Sequence, residues 1–182
     1  MKGRFEVRLA GEGGQGLILA GVILAEAAAV YDGLNATQTQ SYGPEARGGA
    51  SKSEVVVSSE EIDYPKVIEA DCLLAMSQEA CDKYVGNLKR DGTLIIDSVH
   101  VKRLPLERQA IQAPITQLAE EATGRRITAN VAALGVLVGV TGIVSRKAIE
   151  AAVRARAPKG TEDVNLKALA AGLDWAAQRS QG

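Results

Sequence analysis

The 182-residue chain carries 21 basic against 22 acidic side chains and is 46% hydrophobic, the balance of an ordinary globular protein. A net charge of −1 excludes nucleic-acid or membrane binding driven by bulk charge, and the length suits one domain, read here as residues 1–182. The charged start "MKGRFEVRLA" does not read as a secretory signal, and the apolar runs Leu17 to Val30 and Val131 to Val144 are shorter than the roughly 20 residues that cross a bilayer, so the chain is expected in the cytoplasm.

Arg4 to Ala10 alternates as a strand, a glycine loop follows, and the Ala- and Leu-rich stretch from Leu17 predicts a helix. Leu34 to Gly43 predicts a second strand running into a polar loop, and "GGASKSEVVVSS" a third with Val55 to Val57 at its centre. Ala70 to Met76 and Thr93 to Asp97 flank a helical segment at the spacing of a parallel βαβ unit, with Asp91-Gly92 expected to turn the chain into the later strand. "RQAIQAPI" predicts a last strand, and "TQLAEEATG" a helix stopped by Gly124. Two further helices are expected to be N-capped by Thr128 and Ser145, and a final helix after Pro158 carries the only Trp. The expected fold is α/β: a Rossmann-like, mostly parallel sheet with helices on both faces and a helical C-terminal part.

Gly11, Gly13 and Gly16 satisfy G-x-G-x-x-G between a strand and a helix, the context in which backbone amides approach a phosphate. A dinucleotide site also needs a carboxylate at the end of the second strand, where this chain has "TQTQ", Thr37 to Gln40; Asp32 lies too early, in the preceding turn. The glycines therefore serve either a tight crossover or an anion site shared with a partner.

"SYGPEARGG", Ser41 to Gly49, presents Tyr42, Glu45 and Arg47 between glycines and is expected to touch something outside itself. The first helix has Glu26 as its single charge over Leu17 to Val30, so both of its sides are expected to be covered. Ser77, Ser98 and His100 are too scattered for a triad, and His100 is expected at the surface. Asp63, Asp71 and Asp97 are expected to be solvated at strand or loop ends, and "SRKAIEAAVRARAPK" to be a solvated basic helix face. Cys72, Cys81 and the lone His100 are too few for an iron–sulfur cluster or a conventional zinc site.

"GEGGQG" at Gly11 to Gly16, "SYGPEARGG", "EIDYP" at Glu61 to Pro65 and "NLKALAAG" at Asn165 to Gly172, in this order, resemble the gamma subunit of the 2-oxoacid:ferredoxin oxidoreductases over essentially the whole chain. The resemblance implies a complex that decarboxylates a 2-oxoacid on thiamine diphosphate with Mg, passes the acyl group to coenzyme A and sends electrons through Fe-S clusters to ferredoxin. With two cysteines and no "GDG...N" signature, this chain is expected to bind none of these alone, to hold no metal and no catalytic residue, and to work with alpha and beta subunits, a delta subunit being a further candidate. It further implies that Gly13, Gly14, Gln15 and Gly16 give close backbone approach, and that Tyr42, Glu45 and Arg47 contact substrate or partner, with Arg47 suited to a carboxylate or phosphate. A separate gamma chain of this length looks more like the 2-oxoglutarate form than the pyruvate form. Two other readings stay open: a structural module that dimerises the complex through the Leu17 or Val131 helix, and a free-standing nicotinamide-dependent reductase.

Overall fold

The computed structural model describes residues 3–41, 50–106 and 108–179. Six strands form one sheet: β1 (Arg4–Glu12), β2 (Asn35–Ser41), β3 (Ala50–Ser58), β4 (Ala70–Ala75), β5 (Leu88–Asp97) and β6 (Ala110–Ala113), in the order β2-β3-β1-β4-β5-β6. β1 runs parallel to β4, β4 to β5 and β5 to β6, while β3 is antiparallel to both β1 and β2. Only β3 therefore runs against the rest, and the carboxyl ends of the other five strands share one edge.

Alternation in β1 sorts the two faces. Phe5, Val7 and Leu9 join the larger core with α1 (Leu17–Glu26), α3 (Ile115–Thr123), α4 (Ala129–Thr141), α5 (Arg146–Arg156) and α6 (Glu162–Arg179). The opposite face, with Ala10, Val56, Leu73 and Ile96, is covered by α2 (Gln78–Tyr84) alone. Beside α2 lies a buried charge cluster: Glu54 accepts from Arg8 Nη2 and Lys52 Nζ, both at 2.7 Å, beneath the ring of Tyr84.

α4 is apolar on all sides and is buried from Ala129 to Val138. It meets α6 at glycines: a Cβ on Gly135 would lie 2.2 Å from the Leu169 carbonyl oxygen, and one on Gly172 2.2 Å from that of Ala132. No other residue type permits that approach. No described helix is long and apolar enough to cross a membrane.

The helix stops match expectation at Gly124, which is left-handed at φ 69°, and Ser145 caps α5 by accepting from the Ala148 amide. Three local expectations fail. Thr128 does not cap α4: a 3₁₀ turn, Arg126–Thr128, runs straight into the helix, and the hydroxyl turns back to donate to the Arg125 carbonyl at 2.8 Å. Asp91-Gly92 does not precede the strand but lies inside β5, where the pairing with β4 shifts between Ala70 and Cys72. Asp97 is not solvated but fully buried at the end of β5.

The first helix is also not covered on both sides within this chain. Its inner side packs on the sheet through Leu17, Ala20, Ile23 and Leu24, but Leu19 is 42% exposed and Val30 68%. Beyond Glu26 the helix widens into a π turn, Ala27–Tyr31, and ends at Asp32. That carboxylate accepts from the backbone amide and the hydroxyl of Ser145, each at 2.6 Å, so it serves the start of α5.

Candidate functional site

The loop from Gly13 to Gly16 joins β1 to α1 at the carboxyl edge of the sheet. β1 is also where the chain's path divides, with β2 and β3 laid to one side of it and β4 to β6 to the other. Open α/β sheets bind ligands outside such a division. Gly14 (φ 92°) and Gly16 (φ 73°) take left-handed conformations that side chains disfavour. A Cβ on Gly13 or Gly14 would meet nothing within 4 Å, so both face open space.

Gln15 has a different role from the one expected. Its Oε1 accepts from the Glu12 amide at 2.8 Å and its Nε2 donates to the Met76 carbonyl at 3.3 Å, so the side chain clips the loop to the end of β4. Asn130, at the start of α4, donates from Nδ2 to the Gly16 carbonyl at 3.2 Å. The loop is thus held from both sides, while the first amides of α1 receive no side-chain cap.

Two clefts adjoin this loop. The larger, ≈ 400 Å³, lies between Gly14, Gln15, Gly16 and Leu19 on one side and Arg125, Ile127, Asn130, Thr161, Val164 and Asn165 on the other. Its size and its mainly apolar wall with a few convergent polar groups suit a small-molecule site. Among the described residues Arg125 has no ion-pair partner, so its guanidinium is available to an anion. The smaller cleft, ≈ 250 Å³, is lined by Gly14, Gln15, Met76, His100, Thr116 and Arg126. Ile127, 82% exposed, borders both.

His100 is a surface residue as expected, yet it opens on the smaller cleft. Asp97 holds it there. The Asp97 carboxylate accepts from the amide and hydroxyl of Thr116 and from the Val99 amide, and its carbonyl accepts from the amides of His100 and Val101. Ser77 caps α2, which removes it from any triad. Asp71 is likewise occupied, by the Glu6 amide and Lys89 Nζ. The basic α5 face pairs its arginines with acids, Arg146 with Glu150 and Arg156 with Glu26.

Tyr42, Glu45 and Arg47 lie outside the described residues. The residues on either side of that segment are placed: β2 ends at Ser41 on the glycine-loop edge, and β3 begins at Ala50, paired with Glu12. Arg125, Asn130 and Asn165 were not singled out by sequence. Asn165 opens the "NLKALAAG" motif, which was the one available signal.

The donor set does not fit an iron–sulfur cluster. Cys72 and Cys81 are buried on opposite faces of the sheet, and burial, helped by Asp71, pushes the Cys72 thiol up to about 12. Among the described residues no three His, Cys, Asp or Glu side chains converge as a metal site.

Residues 6–175 match the family described as pyruvate ferredoxin/flavodoxin oxidoreductase. The chain belongs to that family. It is 51% identical over 178 residues to the 2-oxoglutarate synthase subunit KorC of Methanothermobacter thermautotrophicus, covering 94% of each chain. The keto/oxoacid ferredoxin oxidoreductase gamma subunit of Geobacter sulfurreducens has the same fold, with a TM-score of 0.89 and 50% identity over 97% of this chain and 98% of that one. The 2-oxoglutarate:ferredoxin oxidoreductase of Magnetococcus marinus, solved with 2-oxoglutarate, coenzyme A and succinyl-CoA bound, matches 98% of this chain at a TM-score of 0.85 and 25% identity. There the match occupies 32% of the other chain. The mostly parallel α/β fold expected from sequence and the resemblance to the gamma subunits are both borne out.

Proposed function

We propose that this chain is the gamma subunit of a CoA-acylating 2-oxoacid:ferredoxin oxidoreductase, acting on 2-oxoglutarate before pyruvate, and that residues 1–182 form one unit of that cytoplasmic complex. The observation that carries the reading is a fold built around an uncapped glycine loop with clefts on both sides, in a chain half identical to a 2-oxoglutarate synthase subunit along nearly its whole length.

The chain completes a site rather than running the redox chemistry. Thiamine diphosphate, Mg and the clusters belong to the alpha and beta partners, and a delta chain carries clusters where one is present; ferredoxin is reached through the complex. Gly13, Gly14 and Gly16 offer backbone amides to an anionic group, and Arg125 supplies a guanidinium at the larger cleft. Tyr42, Glu45 and Arg47 join them from the segment between Ser41 and Ala50, with Arg47 the ligand for a carboxylate or phosphate of the substrate or coenzyme A.

Reconstitution tests this. The isolated chain is expected to be inactive. With its alpha and beta partners it should support 2-oxoacid- and coenzyme A-dependent reduction of ferredoxin, with 2-oxoglutarate turned over faster than pyruvate. Arg125→Ala and Arg47→Ala should each raise the KM of one of the two substrates about tenfold, the loss of roughly one charge-assisted hydrogen bond. Activity of the chain alone, or a complex equally active without it, overturns the reading.

A further inference from the structure

α1 and β2 leave an apolar surface that the fold itself does not use. Leu19, Val22, Ala29 and Val30 follow one another along the outer side of α1 and its π turn, and the helix shares a groove of ≈ 500 Å³ with Ala36 and Gln38 of β2. The single acid on this helix, Glu26, is 14% exposed and is neutralised by Arg156 of α5, so the stripe presents no unpaired charge. β2 is the terminal strand of the sheet and pairs with β3 over Asn35–Ser41 without a shift of register. Its sequence "NATQTQS" has no lysine, proline or other charge, the features that normally protect an edge from pairing. An apolar stripe beside a regular, unprotected edge marks an interaction surface.

We infer that the outer side of α1 together with the free edge of β2 is the docking surface for the separately encoded chain that is fused to this unit in relatives such as the Magnetococcus marinus protein. The inference rests on the proposed gamma-subunit function. In that relative the homologous unit fills 32% of a longer polypeptide, so the rest of that polypeptide is held to it covalently. A chain without the fusion loses the effective concentration that a linker provides and must hold its partner by surface alone. The stripe is also continuous with the glycine-loop site, because Leu19 lines the larger cleft as well. A partner seated along α1 would therefore reach the cleft that it is proposed to complete.

The test uses the affinity-tagged chain co-expressed with its alpha and beta partners, compared with Val30→Glu and Ala29→Glu. Both side chains are exposed and clear of the clefts, so the variants should melt with the wild type. Wild type should retain the alpha chain, and the variants should bind it at least tenfold more weakly. Independently, amide hydrogen exchange at residues 35–41 should slow on assembly, which a purely structural role for β2 would not produce. Variants that retain the alpha chain as well as wild type does, with exchange in β2 unchanged, overturn the docking surface while the gamma-subunit reading stands. An isolated chain that dimerises, and that Val30→Glu makes monomeric without weakening alpha-chain binding, assigns the surface to a second copy and overturns it too. A wild-type chain that retains no alpha chain overturns the gamma-subunit reading and the surface with it.

Discussion

The side-chain amide of Asn130 occupies the space that a side chain on Gly16 would need. Its Nδ2 donates to the Gly16 carbonyl at 3.2 Å and would lie 2.6 Å from a Cβ built on that glycine. The start of α4 and the start of α1 are thereby locked together at the rim of the larger cleft.

This separates two glycines that look alike in the sequence. Gly16→Ala meets both the clash and a left-handed φ of 73° and should cost about 1–3 kcal/mol in a denaturant melt. Gly13→Ala meets neither, since its Cβ would stand in open space, and should stay within about 0.5 kcal/mol of wild type. If Gly13 is where a ligand approaches the backbone, the same variant should nonetheless lower the activity of the assembled complex. A Gly16→Ala chain that melts with the wild type would show that Asn130 moves aside freely.

The Arg8–Glu54–Lys52 cluster is a second place where one atom decides the outcome. Arg8 and Glu54 are 4% and 7% exposed, and Arg8 Nη1 has no hydrogen-bond partner. Glu54→Gln would leave two cations beneath Tyr84 without their counter-charge, and removing one partner of a buried pair typically costs about 3–5 kcal/mol. Lys52 is partly exposed and lowers that cost by moving its ammonium to solvent, so about 3 kcal/mol is expected from urea unfolding. Lys52→Met should be much milder. Equal losses in the two variants would argue against Arg8 as the dependent partner.

Elements governed by local rules were legible in the sequence. The alternation of β1, the serine cap of α5 and the glycine stop of α3 depend on neighbours a few residues away. The failures were tertiary. Asp97 sits at a strand end, where a carboxylate is ordinarily wet; it is dry because α3 brings Thr116 over it from 19 residues away. Thr128 has the right chemistry for a cap but the wrong backbone, since the turn before it is already helical. At the site, the glycine loop was legible because its chemistry is contiguous. Asn130 and Asn165 were not, because only the packing of α4 against α6 carries them to the loop.

Asp97 makes its own prediction. Asparagine is nearly the same shape but offers one acceptor oxygen, and its amide group would face the donors of Val99 or Thr116. Asp97→Asn should cost about 1–3 kcal/mol. It should also speed amide exchange at His100 and Val101, whose hydrogen bonds end on the Asp97 carbonyl. Thr116→Val removes one donor and leaves the Val99 contact, so its effect on the 98–101 turn should be smaller. Unchanged exchange in Asp97→Asn would mean that the turn holds His100 in place without the carboxylate.

The buried thiols set the response to alkali. Burial raises Cys72 from 9.0 to about 12, and burial followed by the charge of Asp82 raises Cys81 in the same direction. Below pH 9 both thiols are protonated in the folded and the unfolded chain and contribute no pH dependence. Between pH 9 and about 12 the unfolded chain releases the Cys72 proton while the folded chain keeps it, so stability falls as pH rises. The slope from this one group approaches about 1.4 kcal/mol per pH unit. Cys72→Ala should lower stability at neutral pH through the cavity it leaves, yet flatten this alkaline slope. Melts from pH 8 to pH 11 decide the matter: a slope as steep in Cys72→Ala as in wild type would assign the alkaline loss to other groups.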